Sequence, residues 1–365
     1  MRPVVHVVGA RPNFVKAAPV LAALRDLGVE QRLVHTGQHY DAAMSDVFFA
    51  DLQLPAPEVS LGVGSGTHAR QTAALMTGLE DAFADLDPAL IVGYGDVNST
   101  LAAALVTSKT GVPLAHVEAG LRSFDPTMPE EVNRRVVDAL SDVLLATSPE
   151  ALAHLADEGL PASRMHLVGN TMIDSLLLAR ERLDPAGALQ RLGLDAALLE
   201  TGYAVATLHR PANVDDPATA ARLVRGLAEV AADVPVVFPL HPRGGRTLRA
   251  GGVEDVPGLT VTAPLGYGDF LSLVSAARLV VTDSGGLQEE TTVLGVPCLT
   301  LRPNTERPIT ITSGTNRLVD VQTLAAAARE ALAAPPRPPE LPPLWDGRAG
   351  PRAAAVIARF LADHA

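Results

Sequence analysis

Short runs of apolar residues alternate along this chain with longer stretches in which apolar residues recur at helical spacing. The short runs are apolar along their whole length, which is typical of strands in a parallel sheet that helices cover on both faces. In the first half of the chain we predict strands at residues 4–8, 32–35, 90–92, 113–117, 143–146 and 166–168. We predict helices between them at residues 14–27, 42–52, 68–83, 98–110, 130–140 and 149–158.

The alternation pauses at residues 171–200, a helical stretch, and then begins again. The second set of predicted strands is 203–208, 234–238, 259–262, 279–282 and 297–301. Its predicted helices are 218–232, 269–277 and 287–294, and a final amphipathic helix spans 352–363. Two complete sets predict an α/β protein with two Rossmann-like, doubly wound domains facing a cleft, with a boundary near residues 170–185.

The charge balance and the cysteine content limit the classes of function. Asp and Glu outnumber Lys and Arg by 41 to 29, and no basic run appears, which argues against a nucleic-acid partner. The single cysteine, Cys298, excludes an internal disulfide, and the ten histidines lack metal-ligand spacing, so we predict no metal site. No apolar run approaches the ~20 residues that span a bilayer, and we therefore expect a cytoplasmic protein without a membrane partner.

Small and polar residues follow the predicted strands directly. Ligands of doubly wound domains bind outside the carboxyl ends of the strands, so these segments hold the candidate binding residues. Two such rims facing each other would form a cleft that contains acids, cations and histidines. The segments are residues 9–12, 36–39, 93–96 and 118–122 in the first half, and 209–211, 241–243 and 283–286 in the second.

The segment Asp-Ser-Gly-Gly at residues 283–286 precedes the helix predicted from Leu287 and is suited to bind an anion. Small residues let a ligand approach the backbone, and the N–H groups of a helix's first turn favour negative charge. Glu290, one turn further on, is suited to accept hydrogen bonds from ribose hydroxyls. An ordinary N-cap formed by Asp or Ser explains the same segment equally well.

Arg11 and Lys16 bring two cations to the first strand-to-helix junction. The junction lacks the Gly-x-Gly-x-x-Gly fingerprint and the pattern of a P-loop, so neither NAD nor a P-loop nucleotide is predicted. Plain surface charges are the alternative, although cations at a helix N-terminus are disfavoured unless an anion is near. His209 and His241 fit phosphate contacts or proton transfer.

Three carboxylates, Asp96, Glu118 and Glu130, follow strand-like runs or begin a helix. Near one cleft they are suited to divide general acid and base roles. Glu130 alternatively stabilises a helix N-terminus, and Arg134 is either its i,i+4 partner or a ligand clamp. No nucleophile elbow is present and Cys298 is most simply a core residue, so covalent catalysis is not supported.

These candidate segments belong to a larger set of short motifs that occur in order over nearly the whole chain. The motifs are residues 9–12 with Lys16, 36–39, 95–96, 116–122, 129–134, 169–171, 208–210, 282–290 and 305–308. Together they resemble the motifs of the non-hydrolysing UDP-N-acetylglucosamine (UDP-GlcNAc) 2-epimerases. One of these motifs alone is weak evidence for a resemblance, but the full set in the same order along the chain is specific evidence for this family.

The resemblance implies a glycosyltransferase-B-like fold, in which residues 1–172 and a returning helix at 351–365 form an N-terminal domain and residues 173–350 a UDP-binding domain. It also implies a cytoplasmic homodimer that interconverts UDP-GlcNAc and UDP-ManNAc for cell-envelope polysaccharides. The catalytic residues that it implies are Asp96, Glu118, Glu130 and His209. The UDP-sugar would be bound by Arg11, Lys16, Arg134, Phe270 (whose backbone would meet uracil), Ser284, Gly285, Gly286, Glu290 and Arg307.

The implied chemistry avoids a difficult deprotonation, because the C2 proton of the sugar is not next to a carbonyl. UDP leaves C1 while the C2 proton is removed, which gives a glycal (2-acetamidoglucal). UDP then adds back, and a proton is delivered to the opposite face. Such a route needs cations for the departing diphosphate and at least two acid–base groups, but neither a cofactor nor a metal.

Three segments bear on whether a regulatory site is present and on which nucleotide sugar is the substrate. Tyr40 follows His39 where many bacterial members carry an arginine of a regulatory UDP-GlcNAc site, so such a site is not expected here. Residues 36–41 with 44–46 also resemble relatives that act on UDP-2,3-diacetamido-glucuronate, whereas residues 305–308 favour UDP-GlcNAc. Outside the family, the alternatives are a UDP-sugar-dependent glycosyltransferase and a non-catalytic UDP-sugar sensor.

Overall fold

Two parallel β-sheets, each associated with helices, form the framework of the protein. A computed structural model describes residues 2–37, 52–335 and 340–364. The chain divides into two compact units, which are Met1–Leu178 with Pro343–Ala365 (unit 1) and Ala179–Pro342 (unit 2). Thr171–Arg180 is a single helix, so the division between the units falls inside it, whereas the sequence places the change of domain after residue 172.

In unit 1 the strands lie in the order β3-β2-β1-β4-β5-β6-β7, and all neighbouring strands are parallel. The chain starts in the middle of the sheet, runs to one edge and then crosses to the other side, which is the doubly wound order. The two-residue strand β3 was not predicted, because so short a strand carries no pattern. The strands are β1 Val4–Val8, β2 Gln31–His35, β3 Val59–Ser60, β4 Leu90–Tyr94, β5 Leu114–Ala119, β6 Val143–Ala146 and β7 Met165–Leu167.

The helices of unit 1 follow the predicted pattern closely. The predicted helix at residues 42–52 lies almost entirely outside the described residues. The described helices are α1 Arg11–Asp26, α2 His68–Leu86, α3 Asn98–Thr110, α4 Pro129–Leu140, α5 Pro149–Asp157, α6 Thr171–Arg180 and, at the end of the chain, α16 Ala349–Asp363.

The last helix, α16, packs on α1 and belongs to unit 1. The buried Asp174 carboxylate accepts hydrogen bonds from the backbone N–H groups of Ala349 (3.1 Å) and Gly350 (2.7 Å), which satisfies two donors at the start of α16. A Cβ atom at Gly350 would lie 2.6 Å from the carbonyl oxygen of Pro19 in α1, so the close approach of the two helices requires glycine there.

Unit 2 has the strand order β10-β9-β8-β11-β12-β13, again with parallel neighbours. Counted from β8, this is the order 3-2-1-4-5-6 that is typical of Rossmann folds. The edge strand β13 was not predicted, because polar residues interrupt its short apolar run. The strands are β8 Ala204–Thr207, β9 Val236–Pro239, β10 Leu259–Thr262, β11 Leu279–Thr282, β12 Cys298–Leu301 and β13 Asn316–Val319.

The helical stretch predicted at residues 171–200 is three helices rather than one. Asp184 begins the second of them, and its carboxylate accepts a hydrogen bond from the N–H of Gly187 (2.9 Å). The remaining helices include several short ones and α15 that were not predicted. The helices of unit 2 are α7 Pro185–Arg191, α8 Leu198–Thr201, α9 Pro211–Val214, α10 Pro217–Ala231, α11 Gly245–Ala250, α12 Tyr267–Ser275, α13 Gly285–Leu294, α14 Ile309–Thr312 and α15 Leu324–Ala333.

Each sheet lies in an apolar core of its own unit. Strands β1, β4 and β5 of unit 1 pack with α2 and α3, and the strands of unit 2 pack with α10, α12 and α15. Cys298 is fully buried in β12, where burial raises the pKa of its thiol to about 11, in agreement with the predicted core role. Among the described helices, none is long and apolar enough to cross a membrane.

Candidate active site

Unit 1 has its topological switch point between β1 and β4, and the loops after these two strands carry candidate residues. Asn13 in the first turn of α1 joins them. Its Oδ1 accepts hydrogen bonds from the N–H groups of Gly9 and Ala10 (both 3.0 Å), and its Nδ2 donates to the carbonyl oxygen of Tyr94 (2.8 Å). Asn13 was not predicted, because its role depends on a contact with Tyr94, 81 positions away in the chain.

Lys16 and Glu118 meet at this switch point. The Lys16 ammonium donates a hydrogen bond to Glu118 Oε2, and both side chains are almost fully buried. Glu118 lies where the pairing of β5 with β6 shifts register, and its φ of +76° turns its side chain out of the regular strand alternation. Gly95, with a φ of +62°, approaches so closely that a Cβ there would lie 2.9 Å from both Glu118 Oε2 and Lys16 Nζ. Lys16 is therefore a buried residue of the site, not a surface charge.

Asp96, the residue after Gly95, is held by α4. Arg134 donates a hydrogen bond to Asp96 Oδ2, and the side-chain amide of Asn133 donates to the Asp96 carbonyl oxygen (2.8 Å). The Arg134 guanidinium also donates to Glu131 Oε2 (2.8 Å), and its own side chain is 2% exposed. Arg134 thus forms ion pairs with both Asp96 and Glu131.

Glu131 is a second residue that sequence reasoning missed. It accepts hydrogen bonds from the backbone N–H groups of Ser123 (2.8 Å) and Phe124 (3.1 Å), so it ties the loop after β5 to α4. Burial by itself would raise the pKa of Glu131, but the Ser123 and Arg134 hydrogen bonds outweigh it and hold the pKa below its usual value. Glu130, the predicted acid or base next to it, is half-buried in the first turn of α4 and takes no part in the contacts described above.

In unit 2 the switch point lies between β8 and β11, and Asp283 is its centre. The fully buried Asp283 carboxylate accepts hydrogen bonds from the N–H of His209 (3.0 Å), the N–H of Arg210 (2.9 Å) and the amide of Asn213 (3.0 Å). Burial favours a raised pKa, but these donors hold the pKa of Asp283 below its usual value. The sequence offers Asp283 only as part of an anion-binding segment or as an N-cap, whereas the structure gives the N-cap position to Ser284 and ties Asp283 to the loop after β8.

Asp283 also orients the imidazole of His209. Nδ1 of His209 lies 3.0 Å from Asp283 Oδ1, and the ring is partly exposed. The His241 ring lies 5.4 Å from that of His209, so the two histidines named from sequence are brought together.

The glycines after Asp283 lie inside helix α13, which corrects a predicted boundary. The helix begins at Gly285 rather than at Leu287, with Ser284 in the N-cap position. The N–H groups of its first turn therefore include those of both glycines, which is the geometry of an anion site at a helix N-terminus. A Cβ at Gly285 would lie 2.6 Å from Arg307 Nη1 and 2.6 Å from Glu306 Oε1, so any side chain there would force these two charged groups to shift.

A buried group of charges lies under this helix start. Arg307 pairs with Glu306 and with Glu289, the latter at 3.0 Å between Nε and Oε1. Glu306 also accepts a hydrogen bond from Arg302 at 2.7 Å. Two arginines and two glutamates balance one another there, which allows all four to be buried. Arg307 is thereby held next to Gly285.

Glu290 and Phe270 have different surroundings. Glu290 is 6% exposed, and burial raises its pKa to about 7 even though it accepts a hydrogen bond from the Tyr267 hydroxyl (3.0 Å). Phe270 lies in the second turn of α12, its ring packs against the apolar core, and its N–H donates to the Gly266 carbonyl oxygen (3.0 Å). The backbone N–H of Phe270 is thus used within the protein.

Several predicted residues are outside this description. The side chain of Arg11 and residues 38–51, which include His39 and Tyr40, lie outside the described residues, so the predictions on them stay predictions. Within the described part of the chain, no group of three or more His, Cys, Asp or Glu side chains is arranged to hold a metal ion.

Comparisons with known proteins agree with this geometry. The family model described as UDP-N-acetylglucosamine 2-epimerase matches residues 22–358. The UDP-N-acetylglucosamine 2-epimerase of Methanocaldococcus jannaschii is 39% identical over 319 residues, covering 86% of this chain and 87% of that protein. The UDP-2,3-diacetamido-2,3-dideoxy-D-glucuronate 2-epimerase of Pseudomonas aeruginosa is 40% identical over 320 residues, covering 87% of this chain and 88% of that protein.

Among solved structures, the crystal structure of the Methanocaldococcus jannaschii UDP-GlcNAc 2-epimerase in complex with UDP-GlcNAc and UDP matches with a TM-score of 0.88 at 36% identity. The match covers 98% of this chain and 99% of that one. The two parallel sheets and these matches define an α/β protein with a glycosyltransferase-B-like fold. Each sheet has a topological switch point, where the ligands of doubly wound folds bind. The chain belongs to the UDP-N-acetylglucosamine 2-epimerase family, as its motifs predicted.

Proposed function

We propose that this protein is a non-hydrolysing 2-epimerase that interconverts UDP-GlcNAc and UDP-ManNAc. The observation that carries the proposal is the pair of carboxylates at the switch point of unit 1. Asp96 follows β4 and Glu118 lies at the end of the neighbouring strand β5, and a buried cation holds each of them, Arg134 and Lys16 respectively. Two carboxylates that are each held by a cation at neighbouring strand ends suit two proton transfers in one reaction.

The reaction exchanges two bonds. The C1–O bond to the diphosphate breaks and its electrons leave with UDP, while the electrons of the C2–H bond form the double bond between C1 and C2. In the return step a phosphate oxygen of UDP forms the C1–O bond again and C2 receives a proton on the opposite face. The proton removed and the proton returned require acid–base groups on different faces, for which Asp96, Glu118 and Glu130 are the candidates.

Unit 2 is suited to the nucleotide. The first turn of α13, with Ser284, Gly285 and Gly286, offers N–H groups and a hydroxyl to a diphosphate, and the guanidinium of Arg307 lies next to Gly285. Glu290 is suited to accept hydrogen bonds from the ribose hydroxyls. His209, with Nδ1 held by Asp283, offers Nε2 as a further proton donor or acceptor near the leaving diphosphate.

Turnover in deuterated water tests the proposal. We expect that UDP-GlcNAc incubated with the protein gives UDP-ManNAc, and that both recovered nucleotide sugars carry deuterium at C2. Accumulation of free sugar and UDP would instead indicate a hydrolysing enzyme, and UDP release that depends on an added acceptor would indicate a glycosyltransferase. UDP-sugar binding without any exchange would indicate a sensor.

The Pseudomonas aeruginosa relative supports a second candidate, because it is as similar to this chain as the UDP-GlcNAc 2-epimerase is. In this alternative the substrate is UDP-2,3-diacetamido-glucuronate, with the same chemistry at C1 and C2. The kcat/KM values for the two nucleotide sugars, measured side by side, decide between them. We expect the higher value for UDP-GlcNAc, and the reverse order would make the diacetamido sugar the substrate.

The proposed enzyme is a homodimer. Light scattering of the purified protein tests this directly, because one chain has a mass of 38.0 kDa. A mass close to twice that value is the expected result, and a single-chain mass at micromolar concentration would contradict it.

A further inference from the structure

A line of buried polar side chains connects the two strand ends that carry Asp96 and Glu118. It begins at His116 of β5, whose ring is fully buried. His116 Nε2 lies 2.9 Å from the carbonyl oxygen of Gly95, the residue before Asp96. Its other nitrogen, Nδ1, lies 2.6 Å from Oδ1 of Asp138 in α4. The Gly95 peptide is held on its other side as well, since its N–H donates to the Val117 carbonyl oxygen (3.0 Å).

Asp138 reaches the second strand end with its other oxygen. Oδ2 accepts a hydrogen bond from the N–H of Gly120 (3.0 Å), two residues after Glu118. The same oxygen lies 2.7 Å from Arg122 Nη1, and Arg122 is in turn fixed by two hydrogen bonds to Glu158 (2.8 and 2.7 Å). One fully buried carboxylate therefore contacts the Glu118 turn directly and the Asp96 turn through His116.

These contacts determine where the hydrogens of His116 lie. A backbone carbonyl oxygen only accepts, so the Nε2 that faces Gly95 carries a hydrogen. The positive charge of Arg122 beside Oδ2 favours the ionised form of Asp138, and an ionised carboxylate only accepts. Nδ1 of His116 therefore donates to Oδ1 of Asp138, so both ring nitrogens of His116 act as hydrogen-bond donors.

The charges around His116 are compatible with that state. Burial alone would raise the pKa of Asp138, but His116 and Arg122 outweigh it and hold the pKa below its usual value. Arg122 is paired with Glu158 as well, so the group of His116, Asp138, Arg122 and Glu158 is neutral in sum. The neighbouring Lys16–Glu118 pair is also neutral.

We infer that His116 and Asp138 are positioning residues of the epimerase, in which His116, donating from both ring nitrogens, fixes the Gly95–Asp96 turn and Asp138 fixes the turn after Glu118. Glu118 has a left-handed backbone that a regular strand would not keep, and Gly95 lies against it. Both turns must be held rigidly if the carboxylates of Asp96 and Glu118 are to keep their positions. The inference rests on the proposed function, because the two carboxylates are its proposed acid–base groups.

The first experiment compares Asp138→Asn with Asp142→Asn. Asp142 is a matched control, because its carboxylate also accepts a backbone hydrogen bond of β5, from Leu114 N–H (3.0 Å), but at the opposite end of the strand. For Asp138→Asn we expect kcat to fall roughly 100-fold, since small displacements of acid–base groups have effects of that order. The KM and the Kd for UDP should stay within about twofold, because Asp138 belongs to unit 1 whereas the proposed diphosphate and ribose residues of α13 belong to unit 2. Asp142→Asn should keep the wild-type kcat.

The second experiment reads the protonation state of His116 in the wild-type protein. In a ¹⁵N spectrum of protein labelled at histidine, with the His116 signals assigned through His116→Gln, both ring nitrogens should be protonated at neutral pH. An unprotonated Nδ1 or Nε2 would overturn the inference, and so would equal kcat values of the two aspartate variants. This spectrum also decides the matter if Asp138→Asn does not fold. A wild-type protein without epimerase turnover would refute the proposed function instead, and the spectrum would still report on His116.

Discussion

Lys16 and Glu118 form an ion pair across 102 positions of the chain, and both side chains are at most 6% exposed. A buried charge is tolerated when it is paired and hydrogen-bonded, so each side chain supplies the countercharge that allows the other to be buried. Gly95 leaves room for the pair by lacking a side chain. The pair therefore links the first helix, the loop after β4 and the end of β5 in one contact.

Removing one member of this pair should destabilise the protein. We expect Lys16→Met to lower the free energy of unfolding by about 3–5 kcal/mol, because it leaves Glu118 buried without a countercharge. The double variant Lys16→Met with Glu118→Gln should lose less, since no uncompensated charge remains. Urea denaturation of the wild type, both single variants and the double variant measures the coupling. Additive effects would show that the two side chains do not interact.

Removing the charge of either carboxylate should affect turnover far more than nucleotide binding. For Asp96→Asn and for Glu118→Gln we expect turnover to fall at least ~100-fold, which is the usual scale of general acid–base catalysis. The Kd for UDP should change little, because both residues lie in unit 1 whereas α13 and Glu290 lie in unit 2. Calorimetric titration with UDP and the deuterium exchange rate at C2 provide the two measurements, and wild-type exchange in either variant would remove that residue from the mechanism.

A side chain at Gly285 should disturb the proposed diphosphate site. The Cβ of Gly285→Ala would lie 2.6 Å from Arg307 Nη1 and from Glu306 Oε1, so the buried charges must shift. We expect the Kd for UDP to rise at least about tenfold, corresponding to ~1.4 kcal/mol.

Gly245→Ala is the control for this change. Gly245 is also the first residue of a helix, α11, but the nearest atom to its Cβ would be Arg249 Nη1 at an ordinary 3.5 Å. Its Kd for UDP should equal that of the wild type. Equal Kd values for both variants would show that the start of α13 does not bind the nucleotide.

Glu290 should make stability depend on pH. Burial raises its pKa from 4.5 to about 7, so the folded protein holds this proton more tightly than the unfolded chain does. Stability from this group is thus present at low pH and is lost as the pH rises from about 4.5 through about 7. Glu290→Gln is neutral throughout and should gain up to about 3 kcal/mol over the wild type across that range.

Denaturation at several pH values measures this difference. Glu229→Gln, which alters an exposed glutamate of α10, serves as the control and should show a constant offset from the wild type. A constant offset for Glu290→Gln as well would show that Glu290 titrates alike in both states.

The order of strands and helices could be predicted because its signal is local. Strands such as β1, β6 and β11 are continuous apolar runs, and their predicted and observed bounds agree. The motifs after them, and with them the family, are also readable from neighbouring residues. The start of α13 was misplaced by two residues, because glycine has a low helix propensity and the helix begins with two glycines.

Sequence alone therefore determined the α/β class, the two strand–helix sets and the residues at the strand ends. The tertiary structure decided which of these residues meet: Arg134 with Asp96, Lys16 with Glu118, and Asp283 with His209. Such pairings depend on strand order and on backbone conformations such as the left-handed φ of Glu118, and neither has a signature in local periodicity. Buried supporting residues such as Asp138 and Asn13 emerge only there, because their role comes from contacts with segments distant in the chain.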